Sequence, residues 1–379
     1  MTRGFPEAEF AARVARAQGL MADHGLAALL LTTEPEVRYF TGYITRFWES
    51  PTRPWFVVLP ASGKPIAVIP AIGAPVMART WVDDIRTWRA PDLHDDGVTL
   101  LADTLREVAG DGPVGVPMGH ETHLRMPLAD YDWLGTSMNF VSDQGIMRSL
   151  RLVKSEAEID KIRTACAIAG RAFDRVGEIA APGVPLSQVF RRFQMLCLEE
   201  GADWVPYLAG GAGPLGYDDV ISPASDAPLA AGDVLMLDTG MVWDGYFCDY
   251  DRNFGIGAVD ARCLEGHRKL IEAVDCAMEI ARPGATAAEL FHAMDRILTG
   301  GAGGSEAGRY GHGLGMQLTE WPSLIPDDHT VLQPGMVLTL EPGVEIADGQ
   351  ILVHEENIVV RDTGPERLSP FAAPDLRIL

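Results

Sequence analysis

Two stretches of this chain repeat one another, and the repetition limits the fold more than any other feature. LAAGDVLMLDTG (Leu229–Gly240) and LQPGMVLTLEPG (Leu332–Gly343) share six identical residues of twelve at an offset of 103. Upstream of each lies a similar helical motif, APGVPLSQVFRRF from Ala181 and RPGATAAELFHAM from Arg282. Each copy reads as a helix, a turn ending in glycine, and two strands, so the two halves would pack their sheets together and face their hairpins toward each other. A carboxylate closes the repeated strand in both copies, Asp238 and Glu341. The second strand of each hairpin carries another, Asp249 in FCDYDRNF and one of the Glu355-Glu356 pair in LVHEENIVV. Between the copies lies GHGLG, with His312 flanked by glycines that allow close backbone approach.

Four carboxylates and an imidazole in one cleft repel unless cations offset them. Two divalent ions do so, and carboxylate-rich ligation suits Mn, Co, Fe or Zn. A metal pair lowers the pKa of a shared water and polarises a carbonyl, which is the chemistry of hydrolysis.

The spacing Asp238–Asp249, then GHGLG, LEPG and a late Glu, resembles the creatinase/aminopeptidase P/prolidase family of pita-bread metallopeptidases. The resemblance runs from the helix LVKSEAEIDKIRTA to about Val360 and, more loosely, back to an N-terminal creatinase-type region that includes YFTGY. It implies that Asp238, Asp249, His312, Glu341 and Glu355 ligate two metal ions. It selects Glu355 over Glu356, and it makes Glu341 also the acceptor of a proton from water. It further implies a homodimer in which an N-terminal arginine, here Arg53, binds a substrate carboxylate.

The match fails at two places. Peptidases of this family have a histidine before the first repeated strand and another after GHGxG. Here no histidine lies between His123 and His267, and the second position is Thr319. Such groups hold protons or stabilise the transition state, and losing one costs about 10²–10³-fold. The metal cage is kept while the substrate contacts are rewritten. Asp251 stands where the family usually has Thr and is a further ligand or base. Trp48, Tyr217 and Trp321 are expected to line the substrate pocket. His354 and Glu356 are read as structural.

The expected architecture is an α/β N-terminal creatinase-like domain over residues 1–152 and an α+β pita-bread catalytic domain over 153–379. The capping box Ser155-Glu156-Ala157-Glu158 opens the second domain with a helix of about 25 residues. In the first, a helix is expected over Pro6–His24 and a hairpin turn at Ala61-Ser62-Gly63-Lys64. GAGPLG from Gly211 matches a dinucleotide fingerprint only formally, because Pro214 interrupts it and no helix follows.

With 53 acidic and 31 basic residues the formal charge is −22, which excludes nucleic acid and anionic membrane as partners. Five scattered cysteines and no long apolar run fit a cytoplasmic location. The leading expectation is a metallohydrolase that cleaves an amide C–N bond in a small molecule or dipeptide, like an Xaa-Pro dipeptidase or aminopeptidase P, on a non-standard substrate. A metal-dependent lyase resembling dimethylsulfoniopropionate lyase and a non-catalytic binding module are the alternatives.

Overall fold

The computed structural model describes residues 3–50, 54–303 and 308–379. The chain divides into two compact units, Met1–Arg151 and Leu152–Leu379. The first is a six-stranded mixed sheet in the order Asp84–Trp88, Ile66–Pro70, Phe56–Pro60, Ala28–Leu31, Val114–Val116, Phe140–Ser142. ALLL at Ala28–Leu31 is buried on both faces, which requires cover on both sides. Phe56–Pro60 and Ile66–Pro70 pair antiparallel across the Ala61–Lys64 turn. The helix Glu7–Asp23 buries Phe10, Val14, Ala17 and Met21 on one face.

The second unit begins with the helix Glu156–Asp174, whose capping box is formed by Ser155 and Glu158. This helix has 19 residues, fewer than its periodicity suggests, because a 3₁₀ turn at Val176–Glu178 interrupts the apolar pattern. Two sheets follow. One runs Arg377–Ile378, Tyr250–Gly255, Val234–Trp243, Trp204–Gly213; the other runs Glu320–Ser323, His312–Gly313, Val337–Leu340, Glu356–Val359, Glu366–Arg367. Helices Ala261–Ile280 and Ala287–Leu298 share a core with residues of both sheets, among them Val234, Met236, Leu338 and Ile358.

The sequence repeat is a repeat of hydrogen bonds. Gly183 donates to the Leu229 carbonyl at 2.7 Å, and Gly284 donates to that of Leu332 at 3.1 Å. Gly232 donates to the Ile256 carbonyl, as Gly335 does to that of Val360. Gly232 and Gly335 have φ of +100° and +89°, a left-handed turn that a side chain would strain. Each turn leads into an antiparallel pair, Val234–Trp243 with Tyr250–Gly255 and Val337–Leu340 with Glu356–Val359.

Register corrects one expectation. Asp251 sits directly opposite Asp238, and Glu356 sits opposite Leu340, the residue before Glu341. The mate of Glu355 across the repeat is therefore Asp251, not Asp249. Two asparagines confirm the offset. Asn253 donates to the Val353 carbonyl, and Asn357 donates to the Asp249 carbonyl. Each thus ties its own strand to the corresponding strand of the other half.

Candidate metal centre

Strand ends and a glycine loop bring three of the five expected ligands together, with a fourth, Glu341, beside them. Asp249, His312 and Glu355 are buried, and each offers an atom within 4.8 Å of the others. His312 Nε2 lies 3.4 Å from Asp249 Oδ2 and 3.6 Å from Glu341 Oε2. Asp238 accepts a hydrogen bond at Oδ2 from the Tyr207 hydroxyl at 2.9 Å. Its Oδ1 and the Oε1 of Glu355 are buried without a hydrogen-bond partner among the described residues. Buried carboxylate oxygens are costly unless something positive meets them.

The GHGLG loop owes its composition to crowding. A Cβ at Gly313 would lie 1.9 Å from the Trp321 carbonyl oxygen, and one at Gly311 would lie 2.3 Å from that of Thr339. At Gly315 a Cβ would meet the Glu320 carboxylate at 2.7 Å. Glu320 is held by Lys154 at 3.0 Å and accepts the Gln317 amide, which fixes the loop from below. His312 Nδ1 lies 2.8 Å from the Gly313 carbonyl, so Nδ1 carries a proton and Nε2 is the nitrogen that faces the carboxylates.

Electrostatics record the crowding. Burial, then the charges of Asp249 and Asp251, push Asp238 well above the ordinary carboxylate range. Glu355 is pushed well above it by burial and by Asp249 and Glu341. Asp249 is pushed up to about 6 by burial, against the opposing pull of His312. Burial opposes a charge on His312, yet Glu341 and Asp249 hold its pKa above the usual value. Such a set of oxygens and one imidazole nitrogen fits hard or borderline divalent cations.

Behind the ligands lies a buried ionic layer. His354 sits between Asp251 Oδ1 at 3.3 Å and Glu356 Oε1 at 3.2 Å. Arg252 pairs with Glu356 at 3.0 Å and donates to the Glu355 carbonyl. Asn357 accepts the Asp249 amide at 3.0 Å and donates to the Asp249 carbonyl. Together these groups hold the backbone of two ligand positions.

Several expected site residues stand elsewhere. Asp251 accepts the Glu355 amide at 3.0 Å and faces His354 through Oδ1, while its Oδ2 is buried without a hydrogen-bond partner among the described residues. Tyr217 is 2% exposed within the apolar core and its hydroxyl is engaged by Asn253 and the Val353 amide, so it cannot line a pocket. Trp321 is buried on its strand, with its carbonyl against Gly313. Trp48 lies in the first unit, where it packs near Trp55 and beneath the Arg125 guanidinium. Arg53 lies outside the described residues.

Thr319 accepts a hydrogen bond at 3.3 Å from Arg309, whose Nε donates to Glu341 Oε1 at 3.3 Å. Sequence reasoning passed over Arg309, although it is three residues before His312. Tyr207 was also missed, because nothing in WVPYLAGG marks which side of the strand faces the ligands.

The comparisons agree with this geometry. The metallopeptidase family M24 model matches residues 160–362, and the creatinase/prolidase N-terminal domain model matches 13–153. "Probable dipeptidase PepE" of Mycobacterium bovis is 30% identical over 96% of this chain and 95% of its own length. An Xaa-Pro dipeptidase of Pyrococcus furiosus is 31% identical over 59% of this chain and 65% of its own. The crystal structure of dipeptidase PepE from Mycobacterium ulcerans superposes with a TM-score of 0.84 at 28% identity, covering 99% of each chain. None of these findings supports the lyase or binding-module alternative. With pita-bread architecture, a creatinase-type N-terminal domain and the buried ligand cluster described, this chain belongs to the metallopeptidase family M24, and it is a metallohydrolase.

Proposed function

We propose that the chain hydrolyses the amide C–N bond of small peptides or peptide-like compounds, using two divalent ions held by Asp238, Asp249, His312, Glu341 and Glu355. The observation that carries this reading is the pair of buried carboxylate oxygens without hydrogen-bond partners, Asp238 Oδ1 and Glu355 Oε1, beside the Asp249–His312–Glu355 cluster. The dipeptidase names of the relatives support the substrate class. A divalent metal in such a site supplies Lewis-acid polarisation of a carbonyl and acidifies water.

The residues of the chain do the rest. Glu341 stands at the more open side, with 19% of its side chain exposed against 5% for Asp249, and is placed to accept a proton. Tyr207 fixes one oxygen of Asp238, which leaves the other for a cation. Thr319 stands at the sequence position after GHGLG where peptidases of this family carry a histidine, and Arg309 links it to Glu341. This points to a substrate outside the ordinary Xaa-Pro set. Mn, Co, Fe or Zn would serve as the ion. We further propose domain limits of 1–152 and 153–379, a homodimer and a cytoplasmic location. Among the described residues, no helix is long and apolar enough to cross a membrane.

The test is hydrolysis by protein loaded with Mn²⁺ of a panel containing Gly-Pro, Ala-Pro, dipeptides without proline, and N-acyl amino acids. Release of amino acid that chelation abolishes and Mn²⁺ restores is expected, with Gly-Pro and Ala-Pro poor substrates. Hydrolysis insensitive to chelation, or none across the panel, overturns the reading. Efficient turnover of Gly-Pro would refute the altered substrate contacts alone.

A further inference from the structure

Beside the ionic layer the catalytic unit holds a cavity of about 230 Å³, lined by Arg252 but by none of the five candidate metal ligands. Strand register builds one wall. Arg252 and Phe254 stand two residues apart on Tyr250–Gly255 and share a face, and Phe254 pairs with Arg377 on the parallel strand Arg377–Ile378. The Arg377 guanidinium lies 5.7 Å from the centre of the Phe254 ring. Phe371 and, from the helix Ala261–Ile280, His267 also line the space.

Three polar atoms at this cavity are unused. Arg252 donates through Nη1 and Nη2 to the Asp251, Glu355 and Pro370 carbonyls and to Glu356. Arg377 donates through Nη1 and Nη2 to the Phe173 and Asp174 carbonyls. Among the described residues no acceptor meets the Nε of either arginine. His267 Nε2 lies 3.1 Å from the Ala373 carbonyl and so carries the proton, which leaves Nδ1 as a buried acceptor without a partner among the described residues. Burial pushes this imidazole down to about 4, which keeps the ring uncharged. A buried acceptor left unmet is costly.

Charge decides what can enter. Arg252 is matched by Glu356 at 3.0 Å and Arg377 by Asp174 at 3.9 Å, while Asp375, also at the cavity, is held by Arg268 at 2.7 Å. A simple anion or cation would add an unpaired charge to this balanced, partly desolvated space. A zwitterion adds none, and it brings an acceptor for the arginines together with a donor for the imidazole. The volume falls below the ~300–1,000 Å³ of sites for drug-sized ligands, so the occupant is small, and Phe254 and Phe371 offer it apolar surface. We infer that this cavity binds a free α-amino acid with a small apolar side chain, its carboxylate toward Arg252 and Arg377 and its ammonium toward His267. The site is separate from the metal centre, and its occupancy does not require the hydrolase reading.

Calorimetric titration of Mn²⁺-loaded protein, repeated after chelation, tests the site. The ligands are L-valine, 3-methylbutanoate, which lacks the ammonium, and 2-methylpropylamine, which lacks the carboxylate. Wild type should bind valine at least about tenfold more tightly than either analogue, the scale of one charged hydrogen bond, and chelation should leave that binding in place. Arg252→Met would strand Glu356 as a buried charge and threaten the fold, so Arg377→Met and His267→Phe carry the comparison. Arg377→Met should weaken valine by about tenfold and leave 2-methylpropylamine unchanged, whereas His267→Phe should weaken valine and leave 3-methylbutanoate unchanged. Mn²⁺ uptake by both variants should equal that of wild type. The inference is overturned if wild type does not bind valine, binds it no better than the analogues, or loses it on chelation, and equally if Arg377→Met binds it as wild type does.

Discussion

The two halves of the catalytic unit share a backbone and differ in chemistry. Asp238 and Glu341 occupy matched positions, yet the first is met by the neutral hydroxyl of Tyr207 and the second by the guanidinium of Arg309. Asp251 and Glu355 are likewise mates, and each leaves one oxygen buried without a hydrogen-bond partner among the described residues, but Asp251 faces His354 while Glu355 lies with Asp249 and His312. Asn253 and Asn357 make equivalent ties, and only Asn357 holds a ligand residue. Duplication thus supplied a frame with two carboxylate stations per half. The innermost candidate ligands nevertheless come from both, Asp249 from the first half and His312 and Glu355 from the second.

Separating Asp251 from Glu355 should give the largest effect. Glu355→Gln removes a ligand charge and should lower kcat/KM by about 10³-fold, because a correctly bound ion contributes several kcal/mol to the transition state. Asp251→Asn perturbs only the support of that ligand and should weaken metal binding by about tenfold. Metal content and steady-state kinetics measure both, and equal losses would erase the distinction between the mates.

A smaller effect follows from the charge crowding. Asp249 titrates at about 6 in the folded chain, against 3.8 for an unperturbed carboxyl. Between those values the metal-free folded state keeps a proton that the unfolded state has lost. Raising the pH through this window therefore lowers stability, by about 3 kcal/mol for this one group. Denaturant melts of chelated protein should show that decline between pH 4 and 6. Asp249→Asn should make it shallower, the remainder coming from Asp238 and Glu355, whose pKa values are also raised.

The asparagines offer the finest discrimination. Asn357→Ala strands the buried Asp249 carbonyl and should cost about 2 kcal/mol of stability, and Asn253→Ala should cost less because the Tyr217 hydroxyl also reaches the Val353 carbonyl at 3.4 Å. Only Asn357→Ala should also weaken metal binding, since it frees both backbone groups of Asp249. Paired denaturation curves with and without Mn²⁺ would show whether the symmetry is mechanical alone.

Much of this was legible before any coordinates. Gly232 and Gly335 betray the repeat because a left-handed turn tolerates little else, and the carboxylates closing the repeated strands stand out once the copies are aligned. The capping box at Ser155 marks where the catalytic unit begins its first helix, since its hydrogen bonds are local. Tyr217 was misplaced because an aromatic beside a glycine loop reads the same whether its ring turns to a pocket or to the core. Only long-range packing buried it.

The sequence by itself determined the doubled frame and its glycine turns and put forward the carboxylates of the candidate centre, because these depend on local backbone geometry and on residue types that repeat at a fixed interval. Tertiary structure alone decided that Asp251 rather than Asp249 pairs with Glu355, that Tyr207 and Arg309 contact Asp238 and Glu341, and that Tyr217 packs within the core. Those outcomes depend on strand register and on which side chains meet across elements far apart in the chain, and no local pattern encodes that distance.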